Sequence, residues 1–178
     1  MLAIKITLYA IGIVLLGCGS AILMSMELAR RSAAPFFPST KAVMRRAMKE
    51  ADLKPGELFY DLGAGTGTSL IIADKEFGAR AIGFEINILP YLIAKIKIFL
   101  FHSHAKMIFR SLFKQNLKEA DVVFCFLLPR TMEKLESKLK AELKPGARLI
   151  AYTFPLPNTK PEKIIPIHEG WKIFIYKI

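Results

Sequence analysis

Cysteine and histidine are scarce in this chain of 178 residues, which has two cysteines and three histidines. Cys18 falls in a long apolar run and Cys125 in the apolar stretch 122–128, so neither suggests a disulfide framework. The histidines (His102, His104 and His168) show no ligand spacing with cysteines or acidic residues. We therefore expect no metal, and a reducing compartment fits the sequence.

Charged residues are absent from residues 6–26, a run of 21 residues. An apolar helix of about 20 residues can cross the roughly 30 Å hydrocarbon core of a bilayer. Five basic residues follow between residues 30 and 46, which by the positive-inside tendency places the rest of the chain on the cytoplasmic side. We expect a single-pass membrane anchor within residues 1–30.

Two alternatives for this run are a cleaved signal peptide and a bacterial lipoprotein site at Cys18. A signal peptide has a shorter apolar core and carries its positive charge ahead of that core. Here the apolar run continues past Cys18 through Met24, and most of the positive charge comes after it. These features favour the uncleaved anchor.

Acidic residues are few, 15 against 26 basic ones, and the formal net charge is +11. Such a charge is compatible with nucleic acid, with anionic lipid or with an ordinary solvated surface. The sequence has no recognisable nucleic-acid module, such as a zinc finger or an aromatic RNA-binding signature. For a domain tethered close to a bilayer we expect contact with lipid, and we do not expect nucleic acid as a partner.

An alternating glycine run, Gly63-Ala64-Gly65-Thr66-Gly67, separates a short apolar stretch ending near Asp61 from a helical pattern. A tight strand-to-helix turn needs backbone angles and close approaches that a Cβ would obstruct. Exposed N–H groups at the helix start can meet polar groups of a ligand. A dinucleotide-binding turn reads G-x-G-x-x-G, and its third glycine is replaced here by Thr68. The spacing favours S-adenosylmethionine over NAD as the cofactor.

Two acidic residues accompany this turn. Asp61 is placed to receive an ammonium, such as the methionyl amine, and Glu85 ends a second apolar run. A carboxylate at Glu85 can accept hydrogen bonds from both ribose hydroxyls. A glycine-rich turn without any ligand is the alternative, but three glycines in register with both acids favour a cofactor site.

Strand and helix patterns alternate along the rest of the chain. The predicted elements are strands at 58–61, 79–84, 105–110, 121–127 and 148–154, helices at 68–77, 89–102 and 131–143, and a terminal hairpin of strands 163–168 and 171–176. A helix capped by Ser39 or Thr40 precedes them, with Val43, Met44, Ala47 and Met48 on one face. The pattern predicts an α/β fold of five β/α repeats, whose mostly parallel sheet ends in an antiparallel hairpin. We divide the chain into an anchor (1–30), a connector with the first helix (31–56) and a cofactor-binding domain (57–178).

Longer strings in the sequence resemble a known family. They are Pro35-Phe36-Phe37-Pro38-Ser39, residues 61–67, residues 83–87, residues 135–148 and Phe154-Pro155-Leu156-Pro157. The chain resembles the class I, Rossmann-like S-adenosylmethionine-dependent methyltransferases. More closely, it resembles the membrane-anchored lysine methyltransferases whose mitochondrial members modify the adenine nucleotide translocase and the c subunit of ATP synthase. The resemblance implies N-methylation of a lysine in a membrane-associated protein.

The resemblance also implies site residues. The cofactor would contact Asp61, Gly63, Ala64, Gly65, Gly67, Glu85, Ile86, Asn87, Ser111 and Leu112. Ser111-Leu112-Phe113 stands where similar enzymes carry a stretch like Asp-Leu-Trp, whose acid helps to hold the adenine amino group. The substrate pocket would be formed by Phe36, Phe37, Pro38, Ser39, Phe154 and Pro155. Ser39 either orients the amine or simply caps its helix.

Other functions are also compatible with the sequence. Leu128-Pro129 follows the fourth strand, whereas adenine and glutamine N-methyltransferases carry an Asn/Asp-Pro-Pro-aromatic tetrad there. The alternatives are an RNA or small-molecule methyltransferase and a non-catalytic, membrane-tethered protein that binds S-adenosylmethionine.

Overall fold

The computed structural model describes residues 40–168 and 170–178, together with eight helical positions at 7, 9, 12, 13, 16, 17, 19 and 20. Most of the predicted membrane span 6–26 and the whole connector up to Ser39 lie outside the described residues. Among the residues that are described, no helix has the length and apolar character needed to cross a membrane.

Seven strands form one sheet in the order β3-β2-β1-β4-β5-β7-β6. The strands are β1 (Leu58–Leu62), β2 (Arg80–Glu85), β3 (Lys106–Phe109), β4 (Val122–Cys125), β5 (Arg148–Tyr152), β6 (Lys163–Pro166) and β7 (Lys172–Lys177). The first five strands are parallel, and β7 is antiparallel to both β5 and β6. The predicted parallel sheet with an antiparallel terminal hairpin is confirmed.

Between residues 40 and 178, the described chain has four α-helices: α1 (Lys41–Glu50), α2 (Thr68–Phe77), α3 (Ile88–Leu100) and α4 (Pro129–Glu142). The prediction of five β/α repeats is wrong at one connection, because β3 and β4 are joined through a 3-10 turn, Leu112–Lys114, and no α-helix. The Gln115 side chain donates to the Ser111 carbonyl oxygen at 3.0 Å, so a side chain supplies the hydrogen bond that a continued helix would give.

Several predicted strands run past their observed ends. The fourth was predicted over 121–127, but its pairing with β1 ends at the register Leu62↔Cys125. The fifth was predicted over 148–154, but a tight turn follows Tyr152. In both cases apolar residues continue along the chain beyond the last residue that pairs with a neighbouring strand, so the sequence pattern predicts a longer strand than the one that forms.

The core lies on both faces of the sheet because successive strand residues point to opposite sides. Phe59 and Phe124 pack with α1 and α2, whereas Val123 and Cys125 pack with α4. The four residues predicted for the buried face of α1 are buried, and Thr40 caps that helix by accepting from Val43 N at 3.3 Å.

The strand order reverses between β1 and β4. In open α/β sheets, ligands bind in the crevice beyond the carboxyl ends of the strands at such a reversal. The glycine turn after β1 and the acidic end of β2 both lie at this edge.

Candidate functional site

The glycine turn after β1 is built from left-handed backbone. The φ values are +95° at Gly63, +51° at Gly65 and +71° at Gly67. A Cβ at Gly67 would lie 3.0 Å from the Cβ of Ala94 in α3, so a larger residue there would be both strained and crowded. Gly63 N and Ala64 N donate to the Phe84 carbonyl oxygen, which ties the turn to β2.

Glu85 fixes the turn from the neighbouring strand. One carboxylate oxygen, Oε2, accepts from Gly65 N at 3.0 Å, and Oε1 accepts from the backbone N–H groups of Ile86 and Asn87 at 2.8 Å each. The side chain is buried, and Oε2 retains acceptor capacity for a ligand hydroxyl. The contact with Gly65 was not anticipated, and the predicted ribose contact stays a prediction.

Asp61, at the end of β1, is buried and receives a hydrogen bond from the Ser69 hydroxyl. Burial raises the pKa of this carboxyl to about 7; the Ser69 hydrogen bond opposes the shift and the Glu85 charge adds to it. A cation beside Asp61 would favour its ionised form. Ser69 was missed in the sequence, where its only signal is a small polar residue in the first turn of α2.

Asn87 supplies a polar atom that needs a partner. Its Oδ1 is buried and has no hydrogen-bond partner among the described residues. A buried acceptor without a donor costs free energy, so a ligand N–H or O–H at this position would be favoured. The free acceptor, the Glu85 carboxylate, the buried Asp61 and the left-handed glycine turn together fit a nucleoside with a positively charged amine.

Ser111 and Leu112 are brought to the same edge of the sheet. Arg110 N donates to the Glu85 carbonyl oxygen at 3.0 Å, and Ser111 follows directly. Leu112 packs against the core on the α4 side. All ten predicted cofactor residues therefore lie at the carboxyl ends of β1, β2 and β3, although their individual contacts with a cofactor stay predictions.

The predicted substrate pocket is described only in part, because Phe36, Phe37, Pro38 and Ser39 lie outside the described residues. Phe154 is half-buried against the α4-side core, and Pro155 is exposed. Both follow β5 at the carboxyl edge of the sheet, the edge that carries the glycine turn.

Thr153, just before Phe154, has an unusual conformation that the sequence did not reveal. Phe154 N donates to the Tyr152 carbonyl oxygen at 2.9 Å, which closes a γ-turn around Thr153 with φ at +71°. This form of γ-turn is rare and strained, and a β-branched residue is a marked outlier there. Thr153 Oγ1 is also buried and has no hydrogen-bond partner in the described part of the chain. Strain and a free acceptor both occur where the substrate pocket was predicted.

A buried acid holds the loop beyond this turn. Glu136 of α4 accepts from the backbone N–H and side-chain amide of Asn158 at 3.2 and 3.1 Å and from the Thr159 hydroxyl. The contact with Asn158 spans 22 residues and was not predicted.

Lys97 places a cation at the glycine turn. Its Nζ donates to Thr68 Oγ1 at 2.6 Å and to Thr66 Oγ1 at 3.5 Å. Burial lowers the pKa of this amine, and the nearby Lys41 lowers it further. Sequence reasoning missed Lys97 because it lies 29 residues from Thr68.

One solved structure has the same architecture and contains a ligand related to the predicted cofactor. An RNA methyltransferase from Salinibacter ruber, in complex with S-adenosyl-L-homocysteine, matches with a TM-score of 0.77 and 28% identity. The match covers 80% of this chain and 94% of that one. The fold and site define an S-adenosylmethionine-dependent methyltransferase of the Rossmann-like class.

Sequence relatives narrow this class. Residues 61–163 match the family described as the ANTKMT methyltransferase domain. A protein-lysine N-methyltransferase of Saccharolobus islandicus is 33% identical over 139 residues, which cover 76% of this chain and 86% of that protein. A lysine N-methyltransferase of Xenopus laevis, named for the c subunit of ATP synthase, is 32% identical over 139 residues, but the match covers only 60% of that protein. The chain belongs to the ANTKMT methyltransferase domain family, and its cofactor is S-adenosylmethionine.

Proposed function

We propose that this protein transfers a methyl group from S-adenosylmethionine to a lysine ε-amine of a membrane-associated protein. The supporting observation is the 33% identity to the Saccharolobus protein-lysine N-methyltransferase across 86% of that protein. The Xenopus relative, whose name gives the c subunit of ATP synthase as its target, supports the same acceptor chemistry.

The cofactor, when bound, supplies an electrophilic methyl group on a sulfonium. The residues of this chain would hold it: Asp61 opposite the methionyl amine, Glu85 at the ribose hydroxyls, and Asn87 Oδ1 toward a donor of the nucleoside. Methyl transfer by in-line displacement requires alignment of the two reactants more than proton transfer by the protein. The glycine turn and Glu85 would align the cofactor for this step.

The amine must reach the methyl group without its proton. Apolar surroundings lower the pKa of a lysine because burial disfavours the charged form. In the proposed pocket Phe154 would provide an apolar surface, and we propose Phe36 and Phe37, which lie outside the described residues, as further members of it. The free acceptor Thr153 Oγ1 would take one amine N–H and so orient the nitrogen lone pair.

We further propose that residues 6–26 anchor the protein in a membrane with its catalytic domain, residues 57–178, on the cytoplasmic side. The support is the charge-free run of 21 residues with basic residues after it. Such an anchor would hold the domain near acceptor lysines at the membrane surface.

The decisive test is transfer of radiolabelled methyl from S-adenosylmethionine to membrane proteins by the full-length protein, with hydrolysis to identify the labelled amino acid. We expect methyllysine with the wild type and a loss of at least about tenfold with Glu85→Gln, since each lost charge-assisted hydrogen bond is worth roughly 1.5–3 kcal/mol. Glu142→Gln is the matched control, since the Glu142 carboxylate also accepts a backbone N–H, from Leu117 at 3.1 Å, on the opposite face of the sheet. Cofactor binding without any labelled protein would contradict the proposal.

RNA methylation is a second candidate, favoured by the likeness to the Salinibacter RNA methyltransferase and by the charge of +11. The same assay with added RNA separates the two functions. Label in RNA that decreases steeply with salt, together with unlabelled protein, would favour the RNA substrate.

A further inference from the structure

Helix α3 presents apolar side chains to solvent along its length. Its seven large apolar outward side chains are 38% to 77% exposed: Ile88, Leu89, Leu92, Ile93, Ile96, Phe99 and Leu100. Ala94 is its one buried residue. These seven residues, with Phe101 and Phe109, are called the α3 face below.

The α3 face continues onto the edge strand of the sheet. Phe109 of β3 is 51% exposed, and its ring centroid lies 5.3 Å from that of Tyr91 in α3. Scattered exposed apolar residues are ordinary, but contiguous patches above a few hundred Å² mark interaction sites. Consecutive turns of one helix, joined to an edge strand, make such a patch.

Positive charge lies beside this patch. Residues 86–118 contain no acidic residue and six basic ones: Lys95, Lys97, Lys106, Arg110, Lys114 and Lys118. All of these except Lys97 are exposed. Two acids pack against this stretch. Asp74 of α2 is 12% exposed and accepts from Ser103 Oγ and His104 N. Glu142 of α4 accepts from Leu117 N at 3.1 Å. Lys114 and Lys118 lie beside Glu142 on the α4 side. The exposed basic residues beside the α3 face are Lys95 of α3 and Lys75 of α2, whose Nζ donates to the His102 carbonyl oxygen at 3.4 Å just beyond the end of α3.

We propose that the α3 face binds the boundary between headgroups and acyl chains of an anionic lipid bilayer. Interfacial elements combine an apolar face, which enters this boundary, with Lys and Arg that meet anionic headgroups. A protein partner is less well supported, since it would have to carry both an apolar surface and acidic residues that match the lysines beside the face.

This placement would also orient the cofactor site. Asn87 is the residue before α3, and Glu85 ends β2 just ahead of it. A bilayer against the α3 face would therefore lie beside the cofactor edge of the sheet, and an acceptor at the membrane surface would be within reach. Lipid binding itself does not depend on methyl transfer, so the two proposals can fail separately.

The test uses the full-length protein in vesicles, with Cys18→Ser as background and Cys125 left in place because it is fully buried. A nitrobenzoxadiazole label is attached to Leu92→Cys on the α3 face or, as the control, to Ser137→Cys on the exposed side of α4. Vesicles contain lipids with a shallow doxyl quencher, in phosphatidylcholine alone or with phosphatidylserine.

We expect the label at position 92 to be quenched severalfold more on phosphatidylserine vesicles than on neutral ones, with a decrease at high salt, because salt screens the attraction. The label at position 137 should stay unquenched. The paired changes Lys75→Glu and Lys95→Glu should remove the preference for phosphatidylserine without unfolding the protein, since both side chains are exposed.

Three results would overturn the proposal. One is a label at position 92 that is unquenched on phosphatidylserine vesicles. Another is equal quenching at positions 92 and 137, which would mean that the anchor alone brings every surface near the bilayer. The third is a label at position 92 that lipid does not shield from solvent but an added protein does, which would mean that the α3 face binds a protein.

Discussion

Helices α3 and α4 pack against opposite faces of the sheet and use their apolar residues in opposite ways. In α4, Met132, Leu135 and Leu139 are fully buried, and charged residues such as Glu133 and Lys134 face solvent. In α3, Ala94 is buried and Tyr91 and Ile98 pack partly buried against the core, whereas the other seven large apolar residues are exposed. Burial of an apolar stripe usually supplies most of the stability of a helix in a protein. The α4 stripe fulfils that role, whereas most of the large apolar residues of α3 stay exposed.

The two sides also differ in their buried acids. On the cofactor side, Asp61 receives one side-chain hydrogen bond, and burial dominates, so its pKa is raised to about 7. On the α4 side, burial of Glu136 also opposes ionisation, but hydrogen bonds from Thr159, Lys140 and Asn158 lower its pKa overall. A cation beside Asp61 would favour its ionised form. The Glu136 carboxylate already accepts hydrogen bonds that favour its ionised form and that hold the loop at Asn158 and Thr159.

The largest expected difference is between two leucine truncations. Leu135→Ala should lower the free energy of unfolding by about 2–5 kcal/mol because it leaves a cavity in the core. Leu92→Ala, at a side chain that is 48% exposed, should change it by less than about 0.5 kcal/mol. Urea unfolding of the full-length protein, followed by fluorescence of the single tryptophan, Trp171, measures both. A large loss with Leu92→Ala would mean that the α3 face packs within the protein.

The raised pKa of Asp61 predicts a second contrast. Below the ordinary pKa of 3.8 the carboxyl is protonated in both states, and its favourable contribution is complete. Between about pH 4 and pH 7 the unfolded chain releases this proton while the folded chain retains it, so stability decreases. The loss is at most roughly 4 kcal/mol at about 1.4 kcal/mol for each pKa unit.

Asp61→Asn should therefore flatten the pH dependence of unfolding from about pH 4 to 7. S-adenosylmethionine should flatten it as well, since an ammonium beside Asp61 favours the ionised form. Glu136→Gln is the control with the opposite pH dependence. Because the pKa of Glu136 is lowered in the folded protein, its ionised carboxylate stabilises the fold at higher pH, and that contribution is lost as pH falls. An unchanged slope in Asp61→Asn would show that this carboxyl ionises normally.

The buried residue of α3 gives a smaller effect, which is specific to the cofactor. Its Cβ lies 3.0 Å from the position that a Cβ on Gly67 would take, so Ala94→Leu should push against the glycine turn. We expect a loss of about 1–3 kcal/mol in stability from overpacking. Calorimetry should show S-adenosylmethionine binding weakened about tenfold. Ala141→Leu, at an exposed position of α4, is the control. Equal affinity of both variants for S-adenosylmethionine would show that the packing of α3 against the glycine turn does not affect the cofactor site.

Most of the fold could be predicted from local patterns. Helix α2 was predicted at its observed bounds because a glycine precedes it and Gly78 ends it. The pattern could not predict how α3 is oriented, since its apolar residues lie on all sides and periodicity then selects no buried face. The pattern also did not predict the 3-10 turn between β3 and β4. There the Gln115 side chain, and not a backbone N–H, donates to the Ser111 carbonyl oxygen.

The position of the candidate site at the sheet edge could be predicted where its residues are close in sequence. Asp61, the glycine turn and Glu85 lie within a short stretch, residues 61–85, and carry recognisable types. The links from Lys97 to Thr68 and from Glu136 to Thr159 depend on which helix packs beside which loop, which no local pattern specifies. The γ-turn at Thr153 also escaped prediction, because a β-branched residue after a strand normally indicates more strand.

The smallest expected effect tests whether α4 contributes to the site at all. Glu136→Gln keeps one acceptor oxygen but replaces the other with an amide, so it should cost about 1 kcal/mol for each hydrogen bond lost to Asn158 or Thr159. We expect a KM for the acceptor protein that is raised severalfold, because the loop after Thr153 loses its support, and unchanged binding of S-adenosylmethionine. Glu133→Gln, on the exposed side of α4, should change neither quantity. If Glu136→Gln weakened cofactor binding instead, the two sides of the sheet would act as one unit and the contrast between them would fail.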